Sequence, residues 1–203
     1  MNFLQAMQSR FACKRYAQTM ITHEDLTSIL EYGRLTPTSF GLELWSFHVV
    51  QGQGLRQELY HACFDQESVL TAPLSIVILC RPPAFLDPDG PAVHQRGERF
   101  PGSLTDFVED YRPYHEFLKG EGRLESWSRS QGYLAVANMM TGAAALGIQS
   151  CAIEGFDEAK VLGLLGLGKE DWLVSMVIPF GYPDEPPRTK IRQSLDDLVV
   201  FHP

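Results

Sequence analysis

The sequence has 203 residues, enough for one domain with a substantial apolar core, and no shift in composition suggests a boundary inside it. Its 17 basic residues stand against 25 acidic ones, and the net charge of -8 argues against a surface that neutralises nucleic-acid phosphates or anionic lipid. We therefore predict one domain over residues 1–203 that is cytoplasmic, binds neither nucleic acid nor membrane, and keeps its four separated cysteines as free thiols.

Two basic residues near the start of the chain, Arg10 and Lys14, are four positions apart. If this segment is helical, both side chains project from one face and form a candidate anion site. The alternative is an ordinary solvated basic face.

Apolar periodicity and capping signals predict alternating helices and strands along the rest of the chain. Thr22 and Asp25 have the spacing of a capping box, and the helix that follows them must end before Pro37. The predicted elements are a helix over 23–35, a strand over 45–50, a helix over 55–64, a buried strand over 74–80, a helix over 128–147, a strand over 150–154, a short helix capped by Asp157, a central strand over 172–182 and a last strand near Val199. This order predicts an α+β or α/β sandwich.

Three irregular segments offer groups that could bind a ligand. The turn over 37–41 carries the hydroxyls of Thr38 and Ser39, and the turn over 152–157 contains Gly155, which permits close backbone approach. Residues 85–125 are rich in proline, charge and aromatic side chains, as in a lid or a pocket wall. Each turn taken alone could equally be an ordinary connection.

A second basic pair, Lys190 and Arg192, alternates along an extended segment and could clamp a phosphate together with the first pair. Residues 163–169 formally fit a nucleotide-hydrolase phosphate loop, but Glu170 stands where a magnesium-binding hydroxyl is needed, so glycine caps at a helix end fit better. The histidines and cysteines form no metal-ligand or nucleophile pattern. A bound cofactor is therefore expected to supply the chemistry.

Four segments in this order resemble the nitroreductase family: Arg-Phe-Ala-Cys-Lys-Arg-Tyr over 10–16, Pro-Thr-Ser over 37–39 with Trp45 after it, Ala-Ile-Glu-Gly-Phe-Asp over 152–157, and Lys-Ile-Arg over 190–192. The similarity spans nearly the whole chain and looks closest to the oxygen-insensitive NAD(P)H nitroreductase and dihydropteridine reductase branch. It implies an α+β fold with a central mixed sheet flanked by helices, in a domain-swapped homodimer. It also implies FMN at the dimer interface, passing hydride from NAD(P)H to small electron-poor acceptors such as nitroaromatics or quinones.

The resemblance also assigns roles to individual residues. Arg10, Lys190 and Arg192 would hold the FMN phosphate, with Phe11 and Ala12 in the same pocket, and Lys14 would stabilise negative charge near the flavin pyrimidine. Ile153, Glu154 and Gly155 would lie against the isoalloxazine, with the Gly155 N–H reaching N5. Thr38, Ser39 and Gly41 would come from the other subunit, and Gln131 would also approach the cofactor. No side chain need act as an obligatory acid or base, so no catalytic residue and no metal ligand is assigned.

The chain departs from the family pattern in two places. Gly41, Glu43 and Leu44 stand where asparagine, glutamine and proline are common, so fewer side-chain amides meet the flavin there. Asp65 and Ser68 stand where asparagine and lysine are common, and the missing positive charge should make reduced flavin somewhat less favoured. Candidates for the substrate wall are Tyr111, Tyr114, Phe117 and Trp127. The alternatives are another flavin reaction on the same fold, such as enone reduction or dehalogenation, a non-catalytic FMN-binding or sensing protein, and an interaction protein without flavin.

Overall fold

A computed structural model of the protein describes residues 1–202. In chain order the elements are α1 (Phe3–Ser9), α2 (His23–Arg34), β1 (Trp45–Val50), α3 (Gln53–Ala62), α4 (Glu67–Thr71), β2 (Leu74–Cys80), α5 (Pro91–Gly97), α6 (Leu104–Gly120), α7 (Leu124–Ala145), β3 (Gln149–Ser150), α8 (Glu158–Leu164), β4 (Leu173–Gly181) and α9 (Leu195–Leu198). Short 3₁₀ turns lie at Ser39–Gly41 and Pro83–Leu86. This architecture confirms the predicted α+β class.

The four strands form one sheet in the order β1-β2-β4-β3, and all three strand pairs are antiparallel. The resemblance implies a mixed sheet, but the parallel pairing seen here is an isolated bridge between Ala12 and Ser150. Alternate residues of β2 face opposite sides of the sheet. Ile76 and Ile78 pack in the apolar cluster that includes α2 and α7 residues, whereas Val77 and Leu79 pack in the cluster that includes α3 and α8 residues. Because both faces are covered, β2 is buried along its whole length and apolar at every position except Ser75.

The long helix α7 packs against α2, and its second half contains small residues that allow a close approach. At Gly142 an added Cβ would overlap ring atoms of Tyr32 on α2. The glycine therefore leaves room for the Tyr32 ring between the two helices.

We expect Gly142→Ala to lower the free energy of unfolding by about 2 kcal/mol, because the Tyr32 ring must move and helix propensity offsets only part of that. Gly163→Ala is the matched control, since Gly163 also lies in a helix and no atom lies within 4 Å of an added Cβ. That control should be neutral or more stable by up to about 1 kcal/mol. Urea unfolding of both variants checks the prediction, and equal stability of the two would contradict it.

The amino-terminal prediction is wrong in one respect. Helix α1 ends at Ser9, and Arg10 adopts an extended conformation, so Arg10 and Lys14 do not share a helix face. The chain leaves the helix here because the Cys13 N–H donates to the Ser150 carbonyl, 3.2 Å away, and the following residues pair with residues 182–184. These partners lie far away in sequence.

The end of the chain also differs from prediction. Instead of a last strand near Val199, the structure has the short helix α9, capped by the Ser194 side chain on the Asp197 N–H. The strand predicted over 150–154 shrinks to β3, with Ile153 forming an isolated bridge to Val177. Other predictions hold: Thr22 caps α2, Gly166 follows α8 with a positive φ, and all four cysteines are free and buried. Among residues 1–202, no helix is long and apolar enough to cross a membrane.

Candidate functional site

A cleft rich in positive charge, called here the basic cleft, is formed by two segments from opposite ends of the sequence. It has a volume of about 310 Å³, and none of its lining residues is acidic; they are Arg10, Phe11, Ala12, Arg188, Thr189, Lys190, Ile191 and Arg192. The Lys190 Nζ donates to the Arg10 carbonyl at 2.6 Å. Burial and the nearby charges of Arg10 and Arg192 lower the pKa of Lys190. A bound anion would relieve this repulsion.

The segment 182–185 is held against the segment 13–17, which brings the two walls of the basic cleft together. The Ala17 N–H donates to the Tyr182 carbonyl at 2.9 Å, and the Asp184 N–H donates to the Arg15 carbonyl at 3.0 Å. Tyr16 forms a β-bridge with Pro183 between these two bonds. The pairing fixes where the chain turns toward Lys190.

A carboxylate, that of Glu185, completes this connection. It accepts hydrogen bonds from the Lys14 backbone N–H and from Arg188 Nη2, the latter at 2.9 Å. Burial alone would raise the pKa of Glu185, but these bonds outweigh burial and lower it to about 2. Glu185 thus joins a residue beside the cleft to a residue that lines it.

An apolar cavity of about 540 Å³ lies next to the basic cleft and shares Arg10 with it. Its walls are largely apolar and come from α1, α7, β4 and the chain after β3; they are Phe3, Met7, Arg10, Tyr133, Val136, Ala137, Asn138, Met140, Thr141, Ala152 and Met176. A cation-lined cleft beside an apolar cavity fits a ligand with a phosphate at one end and a planar ring system at the other. FMN has this form, so the residues present fit FMN.

The residues expected around the flavin ring lie along the chain after β3. Lys14 Nζ is 3.1 Å from the Cys151 sulfur, and the Glu154 carboxylate accepts the Tyr133 hydroxyl at 2.7 Å. The Gly155 carbonyl accepts from Gln66 Nε2 at 3.1 Å. The side chain of Ile153 is buried in the core, so Ile153 could meet a ligand only through its backbone.

The other predicted cofactor residues form a separate group. The Ser39 N–H donates to Gln131 Oε1 at 3.0 Å, and both residues line a small cavity with Thr38 and Trp127. Within residues 1–202, no hydrogen bond joins this group to the residues that line the basic cleft. One chain therefore carries two separate sets of predicted cofactor residues.

Two of the positions that depart from the family pattern, Asp65 and Glu43, have side-chain partners within the chain, whereas the buried Ser68 hydroxyl has none among residues 1–202. Asp65, at φ +57°, binds His61 Nδ1 at 2.7 Å, and Ser68 is buried. Glu43 pairs with Arg99 at 3.0 Å.

Of the four substrate-wall candidates, Tyr111 is fully buried and its hydroxyl donates to the Leu86 carbonyl at 2.9 Å, so assigning it to an open wall is wrong. Tyr114 and Trp127 are half-buried, and Phe117 is exposed.

Comparison with known proteins agrees with this description. The profile of the nitroreductase family matches residues 7–182. A Staphylococcus epidermidis protein provisionally named an NAD(P)H nitroreductase is 38% identical, over 98% of this chain and 96% of its own. Two solved structures share the fold: a nitroreductase of Exiguobacterium sibiricum in complex with FMN (TM-score 0.77, 19% identity, 100% of this chain and 98% of that chain) and CLA-ER, a gut-bacterial enone reductase (TM-score 0.81, 17% identity, 98% and 97%).

Sequence and fold together place the protein among the oxidoreductases. The chain belongs to the nitroreductase family.

Proposed function

We propose that residues 1–203 form one FMN-binding domain of a homodimeric enzyme, which transfers hydride from NAD(P)H through FMN to electron-poor acceptors such as nitroaromatics or quinones. The observation that carries the proposal is the basic cleft, which has no acidic lining residue and adjoins an apolar cavity through Arg10. FMN, when bound, supplies the group that accepts and donates hydride.

The chain's own residues would bind and orient this cofactor. Arg10, Lys190 and Arg192 bind the phosphate, with Phe11 and Ala12 beside it. The Lys14 ammonium, which contacts the Cys151 sulfur, would stand near the flavin ring and would stabilise negative charge on it. Ile153, Glu154 and Gly155 contact the ring, the first through its backbone. Thr38, Ser39, Gly41 and Gln131, which lie apart from the cleft within one chain, contact the FMN bound mainly by a second copy.

Apolar side chains exposed at both ends of the chain support the homodimer. Phe3 is 71% exposed, Ile191 84% and Phe201 88%, and large apolar side chains in water are unfavourable when they cluster. Others in the same two segments are Met1, Leu4, Met7, Leu195, Leu198, Val199 and Val200. A second copy that covers these segments would also bring the two sets of cofactor residues together.

The test is an absorbance spectrum of the purified protein after reconstitution with FMN, followed by anaerobic addition of NADH or NADPH in the same cuvette. We expect a retained flavin band that bleaches within seconds. A retained band that stays yellow would favour a sensing or storage protein, and no retained band would reject the assignment. A panel of nitroaromatic, quinone, enone and halogenated acceptors then separates the possible second substrates.

A further inference from the structure

The loop Thr38–Leu44 carries backbone conformations that need external support. Phe40 has φ +55° and Glu43 φ +46°, in the left-handed region that side chains other than glycine rarely adopt. Gly41 lies between them with φ +59°. Contacts from outside the loop must therefore hold it in this shape.

Helix α6 and the residues before it supply two apolar contacts. The Phe40 ring lies 5.1 Å from the Tyr111 ring and 5.7 Å from the Tyr114 ring, measured between centroids. The Phe100 ring covers Gly41 so closely that no Cβ would fit there. The loop is thus packed against the segment that contains α5 and α6.

Glu43 provides the charged contact between the same two parts. Its Oε2 lies 3.0 Å from Arg99 Nη1 and 3.9 Å from Arg96 Nη1, and Arg99 Nη2 also donates to the Gly41 carbonyl at 3.3 Å. The Glu43 side chain is only 35% exposed, so water weakens these pairs less than on an open surface.

The backbone of Glu43 closes the loop on the other side. Its N–H donates to Thr38 Oγ1 at 3.2 Å, which leaves the Thr38 hydroxyl proton free to donate elsewhere. Gln131 holds the next residue through the Ser39 N–H. Glu43 therefore links Arg96 and Arg99, through its side chain, to the Thr38 hydroxyl of the loop, through its backbone N–H.

We infer that Glu43 is a positioning residue: its ion pairs with Arg99 and Arg96 hold Thr38, Ser39 and Gly41 in the conformation in which they contact FMN. The α5–α6 segment and the cofactor loop then move as one unit. The identity of the ligand rests on the proposed function, whereas the anchoring of the loop does not.

Glu43→Gln tests the inference, because it keeps the shape of the side chain and removes its charge. Glu31→Gln is the matched control: Glu31 borders the same cavity as Glu43 and pairs with Arg34 at 2.7 Å, but does not bind the loop. We expect Glu43→Gln to speed hydrogen exchange of peptides over 38–44 in the FMN-free protein and to raise the Kd for FMN, each by about fivefold. The control should behave as wild type in both measurements.

Arg99→Gln removes the positive partner of the same ion pair, and it serves as the test variant if Glu43→Gln fails to fold. If Glu43 acts through Arg99, the double variant will lose little more than either single variant. Wild-type exchange in Glu43→Gln, or fully additive losses, would overturn the inference while leaving FMN binding by the wild type untouched. If the wild type itself binds no FMN, the proposed function and the role toward FMN both fail, and exchange in the variants still decides whether Glu43 anchors the loop.

Discussion

Replacing Lys190 by methionine is expected to raise the Kd for FMN by about 50-fold, measured by titration of flavin fluorescence. Lys190 lies between two arginines in the basic cleft, and a hydrogen bond to a charged group contributes about 1.5–3 kcal/mol. Methionine keeps most of the apolar length of the lysine, so the change removes charge and donors with little loss of packing.

Riboflavin, which lacks the phosphate, sharpens this test. Its Kd should be the same for wild type and Lys190→Met, because the contact that is lost is the one to phosphate. Lys119→Met is the control protein, since Lys119 pairs with Glu116 on α6 and is not part of the cleft. An equal loss of FMN and riboflavin affinity would show that Lys190 supports the fold rather than the phosphate.

Glu185→Gln is expected to lower the free energy of unfolding by about 2 kcal/mol at pH 7, because two hydrogen bonds to a charged acceptor are weakened. The effect should depend on pH. The pKa of Glu185 is lowered from 4.5 to about 2 in the folded protein, so its stabilisation is complete above pH 4.5 and disappears as pH falls toward 2. Wild type and variant should therefore converge in stability across that interval.

Urea unfolding at pH 7, 4.5 and 3 measures the convergence. Asp184→Asn is the matched control, because the Asp184 carboxylate is exposed and lies 3.8 Å from the exposed Arg15 side chain. Its effect at pH 7 should be within about 0.5 kcal/mol of zero. A difference between wild type and Glu185→Gln that stays constant from pH 7 to pH 3 would rule out the carboxylate as its source.

Sequence patterns predicted the central strands well because their signals are local, but they did not predict helices α5 and α6 within residues 85–125. Strands β1 and β2 have the predicted bounds, since Pro73 and Pro82 bracket an apolar run and a helix and turn precede Trp45. The termini were predicted less well because their partners are distant in sequence. The chain leaves α1 at Arg10, and Ala12 then forms a bridge with Ser150 of β3, a contact that periodicity cannot reveal.

In the candidate site, too, some residues could be predicted from the sequence and others could not. The structure gathers Arg10, Phe11, Ala12, Lys190 and Arg192 around one cleft, as the family resemblance implies, whereas Lys14, the other member of the first basic pair, does not line it. The role of Glu185 could not be predicted from the sequence, because its partners are the Lys14 backbone N–H and the Arg188 side chain. In the sequence the adjacent Asp184 is an equal candidate for these contacts. Tyr111 was assigned to a wall on aromatic character alone, which does not distinguish a packing residue from a lining residue.

The two walls of the basic cleft are synthesised at different times, because they lie far apart in the sequence. Arg10 is synthesised before the four strands and Lys190 and Arg192 after them, so the sheet can be complete before the cleft exists. A nascent or truncated chain that stops after β4 would have the sheet and most of the family-matched region, residues 7–182, without the second wall. If the cleft binds the phosphate of FMN as proposed, a chain that stops after β4 would stay colourless, whereas one that extends past Arg192 would bind the cofactor.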